Sequence, residues 1–240
     1  RNLKEVNMRL DKYLAHASIG SRKQVKQLIR KKHIKVNGIV CTSDDQHIDE
    51  NSDVVYFDDV NISYQTIVYL MLNKPKGVVS ATKDELHATV FECIDTILPN
   101  DCFPVGRLDI DTEGLLLISN DGKFAHDLLA PKKHVDKTYY VETMHALSNE
   151  DIKILESGTI ILDDEVVLPA HVNLISECAI ELSIHEGKYH QVKRMLHALH
   201  NEVTYLKRIR FGSLLLDESL GSGEWRALTT NEIDKLKKEG

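Results

Sequence analysis

The chain is poor in the features that announce a metal, a disulfide or a membrane. Its four cysteines, Cys41, Cys93, Cys102 and Cys178, stand far apart and never form a CxxC pair. That spacing argues against a zinc knuckle or a disulfide scaffold, so reduced cytoplasmic thiols are expected. No apolar run approaches the ~20 residues of a membrane-spanning helix, and no signal-peptide pattern opens the sequence. A soluble cytoplasmic protein with no membrane partner is therefore expected. There is no Gly-rich nucleotide loop and no cluster at metal-ligand spacing, so neither a cofactor nor a metal is expected. Internal repeats and low-complexity tracts are lacking too.

What the sequence does have is charge, unevenly placed. The 240 residues carry 30 Lys/Arg against 37 Asp/Glu, a net charge of -7 that would count against a nucleic-acid partner. Residues 1–40, however, hold eleven basic and two acidic side chains, leaving 19 basic and 35 acidic in residues 41–240. Such asymmetry points to a basic module joined to a different kind of domain. The length allows one or two domains, and the short polar stretch Asp58 to Gln65 is a plausible linker. We expect a small domain over 1–62 and a larger one over 63–240.

In "MRLDKYLAHASIGSRKQVKQLIRKKHIKVNGIV", Leu10, Tyr13, Leu14 and Ala17 recur at helical spacing, with Gly20 as a helix stop. Ser21 can cap a second helix that buries Val25, Leu28 and Ile29. "HIKVNGIV" then reads as a strand, an Asn-Gly turn and a returning strand. A charge run is usually a solvated helix face. Here one small unit carries nearly all the positive excess, which favours phosphate binding by counterion release. Candidate RNA contacts are Arg9, Arg22, Lys23, Lys26, Arg30 and Lys32. Residues Arg9 to Val40, with the extension "DDQHIDENSDVVYF", resemble the RNA-binding domain named after the fourth protein of the small ribosomal subunit. The resemblance implies binding of structured RNA through the second helix and hairpin.

Beyond the linker, "IVYLMLNKPKGVVS" reads as two apolar runs around a Pro/Gly turn. Helical patterns fall near 122–130, 148–157 and 189–199, between strand-like "KTYYVET", "VVLPAHVNLI", "CAIELSIH" and "VTYLKRIRFG". Thr229 and Glu232 have capping-box spacing before a last helix. Strands outnumber helices without alternating regularly, so an α+β domain around a mixed, largely antiparallel sheet is expected.

One stretch demands a chemical reading: "VGRLDIDTEGLLLISNDG", residues 105–122. Asp109, Asp111 and Glu113 alternate and are followed by Gly114, as at the start of an EF-hand calcium loop. Position 12 of such a loop would have to be a bidentate Glu but is Asn120, and the following run is β-type rather than helical. A catalytic carboxylate needs a rigid support and a nearby cation. Gly106 permits close backbone approach, Arg107 can pair with a phosphate or carboxylate, and Asp109 stands at a turn. Taken alone the loop decides little, since such aspartates mostly cap or form turns.

The stretch, followed by "KTYYV" at 137–141 and "HEGKYHQVKRMLHALHNEV" at 185–203, resembles the pseudouridine synthases of the ribosomal small-subunit synthase A type. With the N-terminal module the resemblance covers almost the whole chain in order. It implies that Asp109 is the catalytic nucleophile and that Tyr139 stacks on the uracil. A basic residue of the HQVKRM helix would pair with the aspartate. The matching position is Lys193, but many relatives carry arginine there, so Lys193 and Arg194 both stand as candidates. Gly106, Arg107, Leu108 and Arg194 are the expected substrate-binding residues.

The implied reaction detaches uracil from ribose C1′ and rejoins it through C5, with no redox change and no external group. Asp109 must be ionised to attack C1′ or C6, and a neighbouring cation favours that form. The uridine must leave the folded RNA to reach it, and Arg107 could fill the vacated space or hold the phosphate. His185, His190, His197 and His200 suggest zinc only weakly, for want of Cys, Asp or Glu partners at ligand spacing. The expected partner is small-subunit ribosomal RNA in an assembling subunit, with a monomeric enzyme acting on it. Large-subunit RNA, or a role as a non-catalytic assembly factor, are the alternatives.

Overall fold

The computed structural model describes residues 7–17, 19–49, 52–62, 67–96, 98–130, 133 and 135–240. The chain divides into two compact units, residues 1–68 with 95–102, and residues 69–94 with 103–240. No feature of the sequence singles out 95–102, whose Asn100 side chain donates to the Ala15 carbonyl at 2.8 Å.

The first unit runs β1 (Asn7–Arg9), α1 (Leu10–His16), α2 (Arg22–Arg30), β2 (Ile34–Val36), β3 (Ile39–Val40), β4 (His47–Asp49), β5 (Val55–Phe57) and β6 (Val60–Ile62). α1 ends at His16, before Gly20, where the Ile19 N–H closes back on the Leu14 carbonyl at 3.1 Å. α2 begins as expected at Ser21, in a reciprocal capping box with Gln24. Asn37 and Gly38 have φ of 51° and 80°, the left-handed pair that a two-residue hairpin needs between β2 and β3. Leu10, Leu14, Val25, Ile29, Ile34 and Ile48 form the small core, whereas Leu28 is only half-buried.

The second unit begins with β7 (Tyr69–Lys74), β8 (Phe103–Val105), β9 (Glu113–Ser119), α3 (Gly122–Leu129), β10 (Lys137–Thr143) and α4 (Asn149–Ser157). It continues with β11 (Ile161–Leu162), β12 (Glu165–Val166), β13 (His171–Ser176), β14 (Ala179–Ile184), α5 (Gln191–Ala198), β15 (Val203–Phe211), β16 (Leu214–Leu215), β17 (Trp225–Ala227) and α6 (Thr230–Glu239). One sheet has the order β13-β14-β10-β15-β9-β7-β17, with β16 on β15 and β8 on β9. Its single parallel pair is β15 with β9; the other pairs are antiparallel. This is the expected mixed α+β architecture.

β9 is buried on both faces, which is why Leu115, Leu116, Leu117 and Ile118 form an unbroken apolar run. Each such side chain stabilises the fold by about 1.5–3 kcal/mol. Where β9 meets β15, a Cβ on Gly114 would lie 2.3 Å from the Arg208 carbonyl, so only glycine fits. Apolar residues from α4 and α5 join one core on the sheet, and those of α3 and α6 another. α6 starts at the expected Thr229–Glu232 capping box. Two expected strands differ. Pro169 has no N–H to give a ladder, and "VVLPAHVNLI" is split into β12 and β13. Val78 to Ser80 makes only an isolated bridge, Val79 to Thr89. Among the described residues no helix is long and apolar enough to cross a membrane.

Candidate active site

Asp109 stands in the connection from β8 to β9, and several contacts fix its backbone. Gly106 turns the chain with φ of 80°, where a Cβ would come within 3.0 Å of Leu129. The Thr112 N–H closes a turn on the Asp109 carbonyl at 3.1 Å. Most of the remaining support comes from the segment after β7. Ser80 Oγ donates to the Leu108 carbonyl at 2.9 Å and accepts from the Leu108 N–H at 3.0 Å. The Gly77 N–H donates to the Ile110 carbonyl at 2.7 Å.

Beneath this loop Lys74 is fully enclosed, with 0% of its surface exposed. Its ammonium donates to the carbonyls of Thr112 at 2.8 Å, Asp109 at 3.0 Å and Pro75 at 3.1 Å. Burial depresses its pKa to about 8, opposed by the charges of Asp109 and Asp111. Sequence reasoning missed Lys74. The only signal was its place in "NKPKG", after a strand and before a turn.

The Asp109 carboxylate is held from two sides. Lys193, in the first turn of α5, donates to Oδ2 at 2.9 Å, and His190 Nε2 lies 3.4 Å from Oδ1. His190 occupies the helix N-cap in the left-handed region, φ 49°, with its ring stacked on Tyr189 at 3.8 Å. Lys193 also reaches Asp111 at 2.6 Å. Burial pulls the lysine pKa down, but hydrogen bonds and charge from the two carboxylates outweigh it and raise the pKa. For Asp111 burial acts upward, and the lysine overrides it to leave a lowered pKa. This ion pair persists from below pH 3.8 to above pH 10.5, so neither member titrates near neutrality. The rest of the acidic run is also engaged, since Glu113 accepts from the Tyr205 hydroxyl at 2.7 Å.

Arg107, Leu108, Asp109, Tyr139, His190 and Lys193 line one pocket of about 80 Å³. Motifs 30 and 84 residues apart in sequence thus converge, as expected for Asp109, Tyr139 and Lys193. Gly106 lines an adjoining cleft. Arg194 turns elsewhere, making a two-pronged pair with Asp163 at 2.7 and 2.8 Å. The geometry therefore gives the carboxylate to Lys193. Of the other histidines, His185 pairs with Asp136 at 2.6 Å.

The first unit presents its basic residues differently from one another. Arg22, Lys23 and Lys32 are exposed and have no carboxylate partner among the described residues. Arg9 is paired with Asp11 at 3.0 Å, Lys26 lies 3.4 Å from Asp44, and Arg30 lies 3.7 Å from it.

A carboxylate fixed between a lysine and a histidine, in a small pocket that a tyrosine also lines, can serve as a nucleophile toward a planar base or its sugar. The family model described as RNA pseudouridylate synthase matches residues 68–198, and that of the S4 domain matches residues 8–54. The chain belongs to the RNA pseudouridine synthase family. It is 44% identical to an uncharacterised RNA pseudouridine synthase of Bacillus subtilis, covering 95% of this chain and 98% of that one. A ribosomal small subunit pseudouridine synthase A of Haemophilus influenzae is 36% identical over 96% and 100% of the two chains. A ribosomal large subunit pseudouridine synthase B of Bacillus subtilis is 37% identical over 95% of each. A crystal structure of a pseudouridylate synthase superposes with a TM-score of 0.68 at 37% identity, over 95% of this chain and 99% of that one.

For an RNA pseudouridine synthase the pairing pattern has a direct consequence. Lys193→Met removes the cation that Asp109 and Asp111 share, and turnover is expected to fall by about 10²-fold or more. Lys193→Arg keeps a donor and should retain much of the rate. Arg194→Ala breaks an exposed pair and should change turnover by less than about threefold. Single-turnover assays of the three variants check this; an Arg194→Ala loss exceeding that of Lys193→Met would reverse the assignment.

Proposed function

We propose that the protein isomerises a specific uridine of small-subunit ribosomal RNA to pseudouridine within an assembling subunit, acting in the cytoplasm as a monomer. The observation that carries the catalytic reading is the Asp109 carboxylate, 2.9 Å from Lys193 and in one pocket with Tyr139. Asp109 attacks C1′ or C6, the N1–C1′ bond breaks, the uracil turns, a C1′–C5 bond forms, and the bond to Asp109 breaks to restore its carboxylate. The hydrogen on C5 leaves as a proton and N1 ends protonated, so the product is an isomer of the substrate. Lys193 donates to the carboxylate and sets an opposite charge beside it in a partly buried place. Tyr139 stacks on the extruded base, worth ~1–3 kcal/mol by analogy with other base-aromatic contacts.

The small-subunit target is supported by "KYHQVKRM", residues 188–195, which resembles the small-subunit type more closely than its sisters. Large-subunit RNA is the second reading, favoured by the 37% identity to a synthase named for that subunit. The test incubates unmodified RNA of each subunit, free and as assembling particles, with the protein and maps carbodiimide-stable adducts by primer extension. A single new stop in small-subunit RNA is expected; a stop confined to large-subunit RNA would move the assignment there.

The first unit supplies affinity. Replacing Arg22, Lys23 and Lys32 together with Gln removes three exposed charges. The slope of log K against log salt should become shallower by about 2 to 3, with similar weakening for every RNA sequence. An unchanged slope would remove this face from the RNA contact.

A further inference from the structure

Lys137 and Arg208 are two buried cations that the catalytic reading leaves unused. They are 7% and 2% exposed and line a cleft of about 540 Å³ that shares Arg107 and Tyr139 with the Asp109 pocket. Antiparallel pairing sets Tyr139 opposite Arg208 and Lys137 opposite Phe211, with a register shift between. That shift places Arg208 and Phe211, three residues apart, on the face that Lys137 and Tyr139 share on β10. The Phe211 ring lies 5.5 Å from the Lys137 ammonium and 5.1 Å from the Arg208 guanidinium.

Neither cation has a carboxylate partner among the described residues. Arg208 Nε donates to the Leu115 carbonyl at 2.8 Å, while Nη2 is sealed from solvent with no acceptor. Lys137 donates to the Val135 carbonyl at 2.7 Å, and burial, then the charge of Arg208, lowers its pKa. The acids of the cleft are already committed. Glu165 pairs with Lys188, and Glu186 accepts from the Leu168 N–H at 3.0 Å and Gln191 Nε2 at 3.1 Å. Two adjacent buried cations with no carboxylate bonded to either, Asp136 acting on Lys137 through its charge while bonded to His185, are unfavourable unless an anion completes the site. A guanidinium with unused donors is suited to a phosphate.

We propose that Arg208 and Lys137 form the binding site for a phosphate group of the target nucleotide, seated in the cleft while its base and C1′ lie against Tyr139 and Asp109. This rests on the isomerase reading given above. Orientation follows from it: one anchored phosphate fixes which way the sugar enters and limits the travel of the ribose while the uracil turns.

The test compares the affinity of the full-length protein for uridine 5′-monophosphate and for uridine by calorimetry, with inorganic phosphate as competitor. Wild type should prefer the monophosphate by about tenfold or more. Lys137→Met and Arg208→Lys, both checked for folding by thermal melting, should each shrink that preference and raise KM for RNA with a smaller change in kcat. Equal affinity for nucleotide and nucleoside, or a preference untouched in folded variants, would overturn the proposal. Displacement by inorganic phosphate without any monophosphate preference would also overturn it, since the site would then serve a free anion. Isomerisation by wild type, measured on the same preparation, separates failure of this inference from failure of the functional reading.

Discussion

Asp109→Asn is expected to lower pseudouridine formation by at least roughly 10⁴-fold, the scale seen when a nucleophile is removed, while RNA affinity stays within about threefold of wild type. Asn is nearly isosteric, and Lys193 keeps its 2.6 Å bond to Asp111, so the ammonium is not stranded. The backbone supports of residue 109 act on its carbonyl and neighbouring N–H groups and are untouched by the change. What is lost is the charged oxygen that, in the proposed mechanism, forms the bond to the substrate. Asp111→Asn is the internal control. Its side chain is 50% exposed against 27% for Asp109 and lies outside the pocket. Its loss should therefore cost less than about tenfold. Comparable losses in both variants would mean that the two carboxylates act as a unit around Lys193.

The second large effect is expected at Lys74. Lys74→Met strands the carbonyls of Thr112 and Pro75 and leaves that of Asp109 with the Thr112 N–H alone. Unpaired buried acceptors cost about 1–3 kcal/mol each, partly offset by no longer burying a charge. A net loss of about 2–4 kcal/mol is expected in urea denaturation. Turnover well below the melting temperature should fall by about 10²-fold, because a displacement of the proposed nucleophile near 1 Å has that consequence. The sign of the pH dependence follows from the depressed pKa of about 8. Between pH 8 and the ordinary lysine value of 10.5 the unfolded chain holds a proton that the folded chain does not. This residue's contribution to stability therefore rises with pH across that window, by at most about 1.4 kcal/mol per unit. Subtracting the Lys74→Met profile from wild type isolates it. A flat difference from pH 8 to 10.5 would mean that the ammonium is not held in the depressed state.

Much of the molecule was legible in the sequence wherever the signal was local. The Asn37–Gly38 turn, the caps at Ser21 and Thr229, and the apolar run of β9 appear in the structure where short-range chemistry placed them. Asp109, Tyr139 and Lys193 were marked by motifs as candidates, and the fold brings them to one pocket. What escaped depends on long-range geometry. Lys74 acquires its role through carbonyls 35 and 38 residues away, and nothing in "NKPKG" shows that its amine is enclosed. His190 reaches Asp109 only because its backbone is left-handed at a helix start, a conformation not written in its side chain. Val78 to Ser80 looks like a strand, but the Val79 backbone bonds to Ala88 and Val90, and Ser80 spends its hydroxyl on Leu108. Arg208 and Lys137 read as ordinary strand cations until a bulge sets them on one face with Phe211.

The most direct measurement of the central claim is tritium release from ribosomal RNA labelled at uridine C5, with wild type and Asp109→Ala compared. Rejoining the base through C5 must expel that hydrogen. Stoichiometric release by wild type, and background release by the variant at matched RNA binding, is the predicted result. Full release by Asp109→Ala, or none by wild type on free RNA and assembling particles alike, would contradict it.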